Sequence, residues 1–387
     1  MMFNFTQAIP LSLYVHIPWC VKKCPYCDFN SHELIPDSEL QQHYIDALIS
    51  DLESKLPDIW GRQIGTVFIG GGTPSLFSVE MLDKLLCAIR ARLNIHPQIE
   101  ITIEANPGTA EGDKFTGYRE IGINRLSIGV QSFDTEQLIK LGRIHTSDEA
   151  INAVALAKSA GFDNLNIDLM FGLPGQTIQS AMDDLQYAID LTPSHISWYQ
   201  LTIEPNTIFF SKPPVVPLDD EIWEIQLAGQ SLLAQYGFKQ YEVSAYAKDN
   251  NRCEHNLNYW EFGDYLGIGA GAHGKLTSVS AGQVVRHSQY KLPTRYMKKA
   301  GIDVASQKII KRKDITFEFM LNSMRLLDGI PASLFMERTG LPLSVIDNEL
   351  SIAEERQWLD WNMQYLKPTE LGQRYLNNLL ELFLPAD

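Results

Sequence analysis

The chain has 387 residues, with 45% apolar and 20% charged side chains, and its 32 basic and 47 acidic residues give a net charge of −15. This composition excludes bulk disorder, collagen and low-complexity scaffolds, and so acidic a surface repels phosphate backbones. At about 150 residues per domain, the length fits two or three units, or one large barrel with an appendage.

Met1 to Leu11 carries no Lys or Arg ahead of a short apolar run, which is neither a signal nor a transit peptide. No stretch approaches the ~20 apolar residues that span a bilayer, so the expected location is cytoplasmic. Short apolar runs then alternate with stretches of helical period. Strands are predicted at Leu11–Ile17, Ile64–Ile69, Ile99–Glu104, Asn124–Val130, Asn164–Met170 and His195–Leu201. Helices are predicted at Ser38–Lys55, Val79–Leu93, Ala110–Ile121, Glu136–Leu141, Asp148–Ala160 and Ile178–Leu191, with Ser38, Ser147 and Thr177 as candidate caps. Strand then helix, six times, predicts parallel βαβ units of the α/β class. The pattern alone leaves a partial barrel and an open doubly wound sheet both open. In either, ligands gather at the carboxyl ends of the strands. The segments there are Pro18-Trp19-Cys20, Gly70-Gly71-Gly72-Thr73-Pro74, Ala105-Asn106-Pro107, Gln131-Ser132-Phe133 and Phe171-Gly172-Leu173-Pro174. All are small, polar or cysteine-bearing turns.

Beyond Leu201, residues 212–217 form a stiff proline-rich connector, and a helix is predicted over Asp219–Tyr236. Tyr241–Tyr246 and the unusual stretch Cys253–Gly274 follow. The character changes near Ala281: residues 281–387 carry 14 basic and 13 acidic side chains, whereas residues 1–280 carry 18 and 34. Short helices are predicted at Gln289–Ala300, Asp314–Leu327, Ser333–Thr339, Leu343–Arg356 and Thr369–Phe383, with a small hairpin over Trp358–Leu366. The expected domains are therefore 1–280 and 281–387. The second is mainly helical and similar to a winged helix, and its near-neutral charge suits capping a barrel better than binding DNA.

Five cysteines are present, and three of them, Cys20, Cys24 and Cys27, crowd into C-x3-C-x2-C. An odd, clustered count is not a disulfide framework; it points to a reduced compartment and a metal. Thiolates favour zinc and iron–sulfur clusters, and structural zinc takes four protein ligands. Three thiolates can hold a cubane by three irons and leave the fourth iron to an exchangeable ligand. A zinc site completed by His16 or His32, or three ordinary cysteines, are the alternatives. Cys87, beside Leu85 and Leu86, is expected to be a buried structural thiol.

The cysteine spacing after the first strand, with Tyr26 just before Cys27, resembles the radical S-adenosylmethionine (SAM) superfamily. That resemblance implies a 4Fe-4S cluster whose unique iron is chelated by the methionine amino and carboxylate groups, on a partial (β/α)6 barrel. The Gly70–Pro74 turn is similar to the superfamily's glycine turn, where missing side chains admit a close backbone approach. Tyr14-Val15-His16-Ile17-Pro18-Trp19-Cys20, Ile103-Glu104, Gly129-Val130-Gln131-Ser132-Phe133, Arg143 and Asn166 through Pro174 resemble the oxygen-independent coproporphyrinogen III oxidase family. The resemblance implies that Tyr14, Gly71 and Glu104 line the SAM site. It places Tyr26, Gly72, Thr73, Gln131, Arg143 and Asp168 in the adjoining SAM or substrate space. The chemistry agrees: Asp168 can accept from ribose hydroxyls, Arg143 can fork to a carboxylate, and Tyr26 can stack on adenine.

Two departures stand out. The oxidase pattern continues as C-x-C, whereas Cys27 is followed by Asp28-Phe29-Asn30. The string Cys253-Glu254-His255-Asn256-Leu257-Asn258-Tyr259-Trp260 resembles the signature of the HemW branch, proteins similar to the oxidase that act as haem chaperones. It implies that His255 offers an imidazole to haem iron, with Cys253 as a thiolate alternative, and that Tyr259 and Trp260 stack on the porphyrin. Gly269-Ala270-Gly271-Ala272-His273-Gly274 matches G-x-G-x-x-G but lacks the following helix and the later acidic residue. It reads as a barrel-edge turn, with His273 a neighbour of haem or SAM.

The implied function is a cytoplasmic haem chaperone, in the setting of porphyrin biosynthesis, that binds haem, a 4Fe-4S cluster and SAM. Its partners would be haem-accepting apoproteins and a haem or electron donor protein; no nucleic acid and no transmembrane segment are expected, and a homodimer or a peripheral membrane contact is compatible. The alternative is the oxidase itself, making protoporphyrinogen IX, which the missing fourth cysteine puts in doubt. A radical enzyme acting on RNA would want a basic rim, against the acidity of residues 1–280.

Overall fold

A computed structural model describes residues 3–109, 112–248 and 251–385. Strands β1 (Leu11–Ile17), β2 (Gln63–Gly71), β3 (Asn94–Ala105), β4 (Arg125–Gln131), β5 (Asn164–Phe171) and β6 (His195–Gln200) lie side by side in chain order. Each pairs with the next in parallel. The connections carry α1 (Ser38–Lys55), α2 (Val79–Arg92), α3 (Gly112–Glu120), α4 (Thr135–Lys140), α5 (Ser147–Ser159) and α6 (Ile178–Asp190). A doubly wound sheet reverses its strand order at a switch point; this order never reverses from β1 to β6. Right-handed crossovers repeated in one direction place the helices on one face, which is the winding of a partial barrel. Leu13, Val15, Ile17, Val67, Ile69, Ile101, Ile103, Leu126, Ile128, Leu165 and Ile167 are buried in one continuous core, as parallel strands require.

Both edges of this sheet are extended. The strand Asp264–Ile268 pairs in parallel with the free side of β1. His273–Ser278, Gln283–Ser288 and Ser306–Ile309 then add antiparallel neighbours. Beyond β6 lie Ala245–Ala247 and Lys239–Glu242, also antiparallel. Among the described residues the sheet has twelve strands, and its two end strands, Ser306–Ile309 and Lys239–Glu242, do not pair with each other.

The division expected after residue 280 falls inside this sheet, because Gln283–Ser288 pairs with His273–Ser278. A second core gathers Ile310, Ile315, Phe319, Phe335, Leu350, Leu366 and Leu379, and takes in Phe3, Phe5 and Ile9 from the N-terminus. Around it stand helices such as Arg312–Ser323, Ser333–Thr339 and Asp347–Glu355. A small sheet, in which Tyr365–Pro368 lies between Ile330–Pro331 and Leu359–Trp361, forms the expected wing. Among the described residues no helix is long and apolar enough to cross a membrane.

Local chemistry explains most boundaries. Thr177 caps α6 as expected, but the other caps are Asp37 and Thr146, each one residue before the expected serine. A cap must hold extended backbone while its side chain reaches the first free N–H groups, and Ser38 and Ser147 already lie in the first turn. The expected helix start at Ala110 lies outside the described residues. Cys87 is corrected: it is exposed, because α2 buries Leu82, Leu85, Leu86, Ala88 and Ile89 and turns position 87 off that stripe.

The helix Asp219–Gln235 seats Gly229 on the buried Trp198 ring, which leaves no room for a β-carbon. Gly229→Val therefore overpacks this contact and is expected to lower unfolding free energy by about 1–3 kcal/mol in urea titrations.

Candidate functional site

The site forms at the carboxyl ends of β1 to β6. After β1, Trp19–Cys20 pairs with His32–Glu33, which closes the cysteine loop on itself. Cys27 N–H donates to the Cys24 carbonyl (3.1 Å), and Lys23 Nζ donates to the Phe29 carbonyl (2.9 Å). Trp19 is buried against Tyr44, with ring centroids 4.7 Å apart, and anchors the loop on α1.

The glycine turn after β2 sits directly on this loop. Gly72 N–H donates to the Ile17 carbonyl (2.7 Å), and Thr73 N–H donates to the Trp19 carbonyl (2.8 Å). Gly71 adopts φ +116°, and a β-carbon there would lie 2.6 Å from the His16 ring. A β-carbon on Gly72 would lie 2.6 Å from the Trp19 carbonyl oxygen. Only glycine allows this contact.

The inner ends of β3, β4 and β5 carry a polar layer. Glu104 accepts from Gly71 N–H (3.0 Å). Asp168 accepts from Ser127 Oγ (3.0 Å) and Asn166 Nδ2 (2.7 Å), and Gln131 Oε1 accepts from Tyr199 (2.7 Å). Burial, and then the nearby Asp168, push the Glu104 carboxyl up to about 8; burial also raises Asp168.

Arg143 lies in the segment after α4, half-buried beside the cluster loop. It donates to the Gly129 carbonyl (2.5 Å) and to Cys24 Sγ (3.6 Å), while its Nε is buried with no partner among the described residues. Arg143 faces the Cys24 thiol and Tyr26. Burial raises the Cys20 and Cys27 thiols, so thiolates there want a cationic partner.

These side chains line one cavity of about 400 Å³, which holds Cys20, Cys24 and Cys27 together with Tyr26, Gly71, Gly72, Thr73, Glu104, Gln131, Arg143 and Asp168. Tyr14 lies next door, where it shares a hydrogen bond with His16 (2.9 Å). Among the described residues no three His, Cys, Asp or Glu side chains gather closely enough to grip a single ion. The two histidines weighed for zinc are engaged elsewhere, His16 with Tyr14 and the Asn30 carbonyl and His32 with the Lys291 carbonyl. Three cysteines opening on one cavity, with a half-buried guanidinium beside them, suit a multi-iron cluster with one iron left open.

A second, larger cavity of about 890 Å³ adjoins the first and shares Phe29, Ser31, Gly71 and Glu104 with it. Of the three residues expected at haem, Tyr259 lines this space. His255 is buried, with Nδ1 2.7 Å from the Thr66 hydroxyl and Nε2 3.3 Å from the Tyr259 hydroxyl, and burial pushes it down to about 3. Trp260 turns to the second core, where Arg325 lies over its ring at 4.3 Å. Cys253 is buried at the start of the same helix, 3.7 Å from Glu100, with its thiol pushed up to about 12. The barrel-edge turn holds: Gly269 and Gly271, both at positive φ, lead straight into the strand His273–Ser278.

Sequence reasoning missed Ser127, Asn166, Ser197 and Tyr199. Their signal was polar residues at even spacing near strand ends (127, 131; 166, 168; 197, 199), which marks one inward face.

A carboxyl raised on folding stabilises the fold fully below its ordinary value of 4.5 and loses that contribution as pH rises through about 8. Wild type is therefore expected to lose stability relative to Glu104→Gln as pH rises from 4.5 to about 8, and to level off above, read as diverging denaturant midpoints of the protein without cofactors.

Comparison with known proteins agrees with this geometry. Residues 14–188 match the Radical SAM superfamily and residues 310–375 match the HemN C-terminal domain. The chain is 50% identical over 381 residues to the protein named heme chaperone HemW of Haemophilus influenzae, covering 98% of this chain and 99% of that one. It is also 50% identical over 378 residues to that of Escherichia coli strain K12, covering 97% and 98%. The solved structure of the Escherichia coli coproporphyrinogen III oxidase HemN, described as a radical SAM enzyme, superposes with a TM-score of 0.81 over 97% of this chain and 90% of its own, at 23% identity. That likeness shows a shared fold.

Proposed function

The chain belongs to the HemW haem chaperone family of the radical SAM superfamily, and from this premise we propose that it binds haem, a 4Fe-4S cluster and SAM, and delivers haem to apoproteins in the cytoplasm. One observation carries the reading: a three-cysteine loop in which Phe29 stands where the oxidase pattern has its fourth cysteine, within a chain similar to the chaperones along almost its whole length.

Cys20, Cys24 and Cys27 would hold three irons and leave the fourth to the methionine amino and carboxylate groups. When bound, the cluster supplies one-electron chemistry beside the SAM sulfonium. The chain's own groups do the positioning. Arg143 offsets negative charge at Cys24. The glycine turn brings backbone within reach of the amino group. Glu104, once ionised, attracts the ammonium and sulfonium charges, while Asp168 accepts from ribose hydroxyls and Tyr26 covers the adenine. Phe29 stands 58% exposed at the mouth shared by the two cavities, so the rim offers haem an apolar contact. A haem or electron donor protein and haem-accepting apoproteins are the partners.

Anaerobic reconstitution followed by haemin titration tests the reading. A Soret band is expected, altered by the presence of the cluster, and the bound haem should pass to an added apoprotein. Cys24→Ser should abolish the cluster absorbance and that alteration while leaving the fold intact by circular dichroism. Conversion of coproporphyrinogen to a vinyl product, with no haem uptake, would instead establish the oxidase reading.

A further inference from the structure

We propose that His273 is the protein ligand to haem iron, and that the cavity it borders is the seat of the porphyrin. This rests on the haem-carrying function proposed above. A metalloporphyrin needs a nitrogen donor free to meet the iron, aromatic faces for its ring, and a cation for its propionates. The cavity of about 890 Å³ is of small-molecule size, where roughly 300–1,000 Å³ is usual.

His16, His32 and His273 border the large cavity and His255 lies behind it, and the four differ in one respect. Both ring nitrogens of His16 are taken, by Tyr14 and the Asn30 carbonyl. Both of His255 are taken, by Thr66 and Tyr259, beneath the Phe68 ring. His32 bonds the Lys291 carbonyl. The His273 imidazole is exposed on the large cavity and makes no hydrogen bond to a described residue. Ligation through His255 would first have to displace the Thr66 or the Tyr259 hydroxyl from a ring nitrogen; ligation through His273 displaces no described group.

The mount of His273 is rigid. Gly269 N–H is held by the Tyr296 hydroxyl (3.1 Å), Gly271 N–H by the Tyr290 carbonyl (3.0 Å), and the Ala272 carbonyl by Gln289 N–H (2.8 Å). Burial, and then Lys291 and Arg286, lower the imidazole from its ordinary value and so favour the neutral form, which binds iron. Tyr14, Tyr259, Tyr265 and Phe29 supply ring faces in the same space, and Lys291 supplies a cation. The seat shares Glu104 and Gly71 with the cysteine-lined cavity, so haem here would sit next to the cluster site.

The test is haemin titration of the full, cluster-reconstituted chain by absorption and electron paramagnetic resonance. His273→Ala is expected to weaken haem binding about tenfold or more and to change the spin state. Added imidazole should restore the wild-type spectrum, and His273→Cys should give a thiolate-type spectrum, which only a residue bonded to iron can produce. An unchanged thermal midpoint in these variants of an exposed residue excludes misfolding. Wild-type uptake of haem with an unaltered His273→Ala spectrum, and loss of the signal in His255→Ala, would overturn this assignment alone. A wild type that takes up no haem would overturn the haem-carrying reading and the assignment together.

Discussion

The contact between the glycine turn of β2 and the start of the cysteine loop is the constraint around which the mouth of the barrel is organised. Two backbone hydrogen bonds, from Gly72 and Thr73 to the Ile17 and Trp19 carbonyls, fix the loop against the neighbouring strand. They form only because positions 71 and 72 carry no side chain: His16 and the Trp19 backbone occupy the space a β-carbon would need. The same turn aims Gly71 N–H at Glu104. One absence of side chains thus sets the cysteines, the turn and the first carboxylate in a common frame, and the packing of Trp19 ties that frame to α1.

Electrostatics then divides the mouth. Glu104 and Asp168 lie half-buried on the inner face, where desolvation raises both carboxyls, and Arg143 lies on the other side against Cys24. A cationic ligand between them would meet groups ready to ionise in its favour, and an anionic cluster would meet the guanidinium. Glu104 and Gly71 also border the larger cavity, so the two spaces share a wall. In the function proposed above, that shared wall is a physical route from the cluster site to a haem bound beside it.

The likeness to the oxidase and the likeness to the chaperones answer different questions. The first, at 23% identity, fixes the architecture; the second, at 50% along nearly the whole chain, fixes the family. What separates the two branches within that architecture is local. Phe29 replaces a soft sulfur ligand with an exposed apolar ring at the cavity mouth. Phe29 offers no metal ligand, and in the function proposed above its ring is a surface for a flat aromatic cargo.

Much of this was legible in the sequence. The six strands, their helices and the cysteine loop follow from periodicity and spacing, because burial on both faces forces apolar runs and because metal ligation needs fixed intervals. The polar layer of Ser127, Asn166 and Ser197 was legible only in part, since alternation marks a face without saying what that face encloses. Tertiary structure decided the rest. It chose the partial barrel over the doubly wound sheet by strand order, which no local signal encodes. It extended the sheet through Gln283–Ser288 and Ser306–Ile309, past the change in composition near residue 281, because pairing depends on distant partners. It exposed Cys87, one step around a helix from its apolar stripe, and it turned His255 inward while leaving His273 open on the cavity. A motif names the residues that can do chemistry; which of them keeps a free lone pair depends on what the fold packs against it.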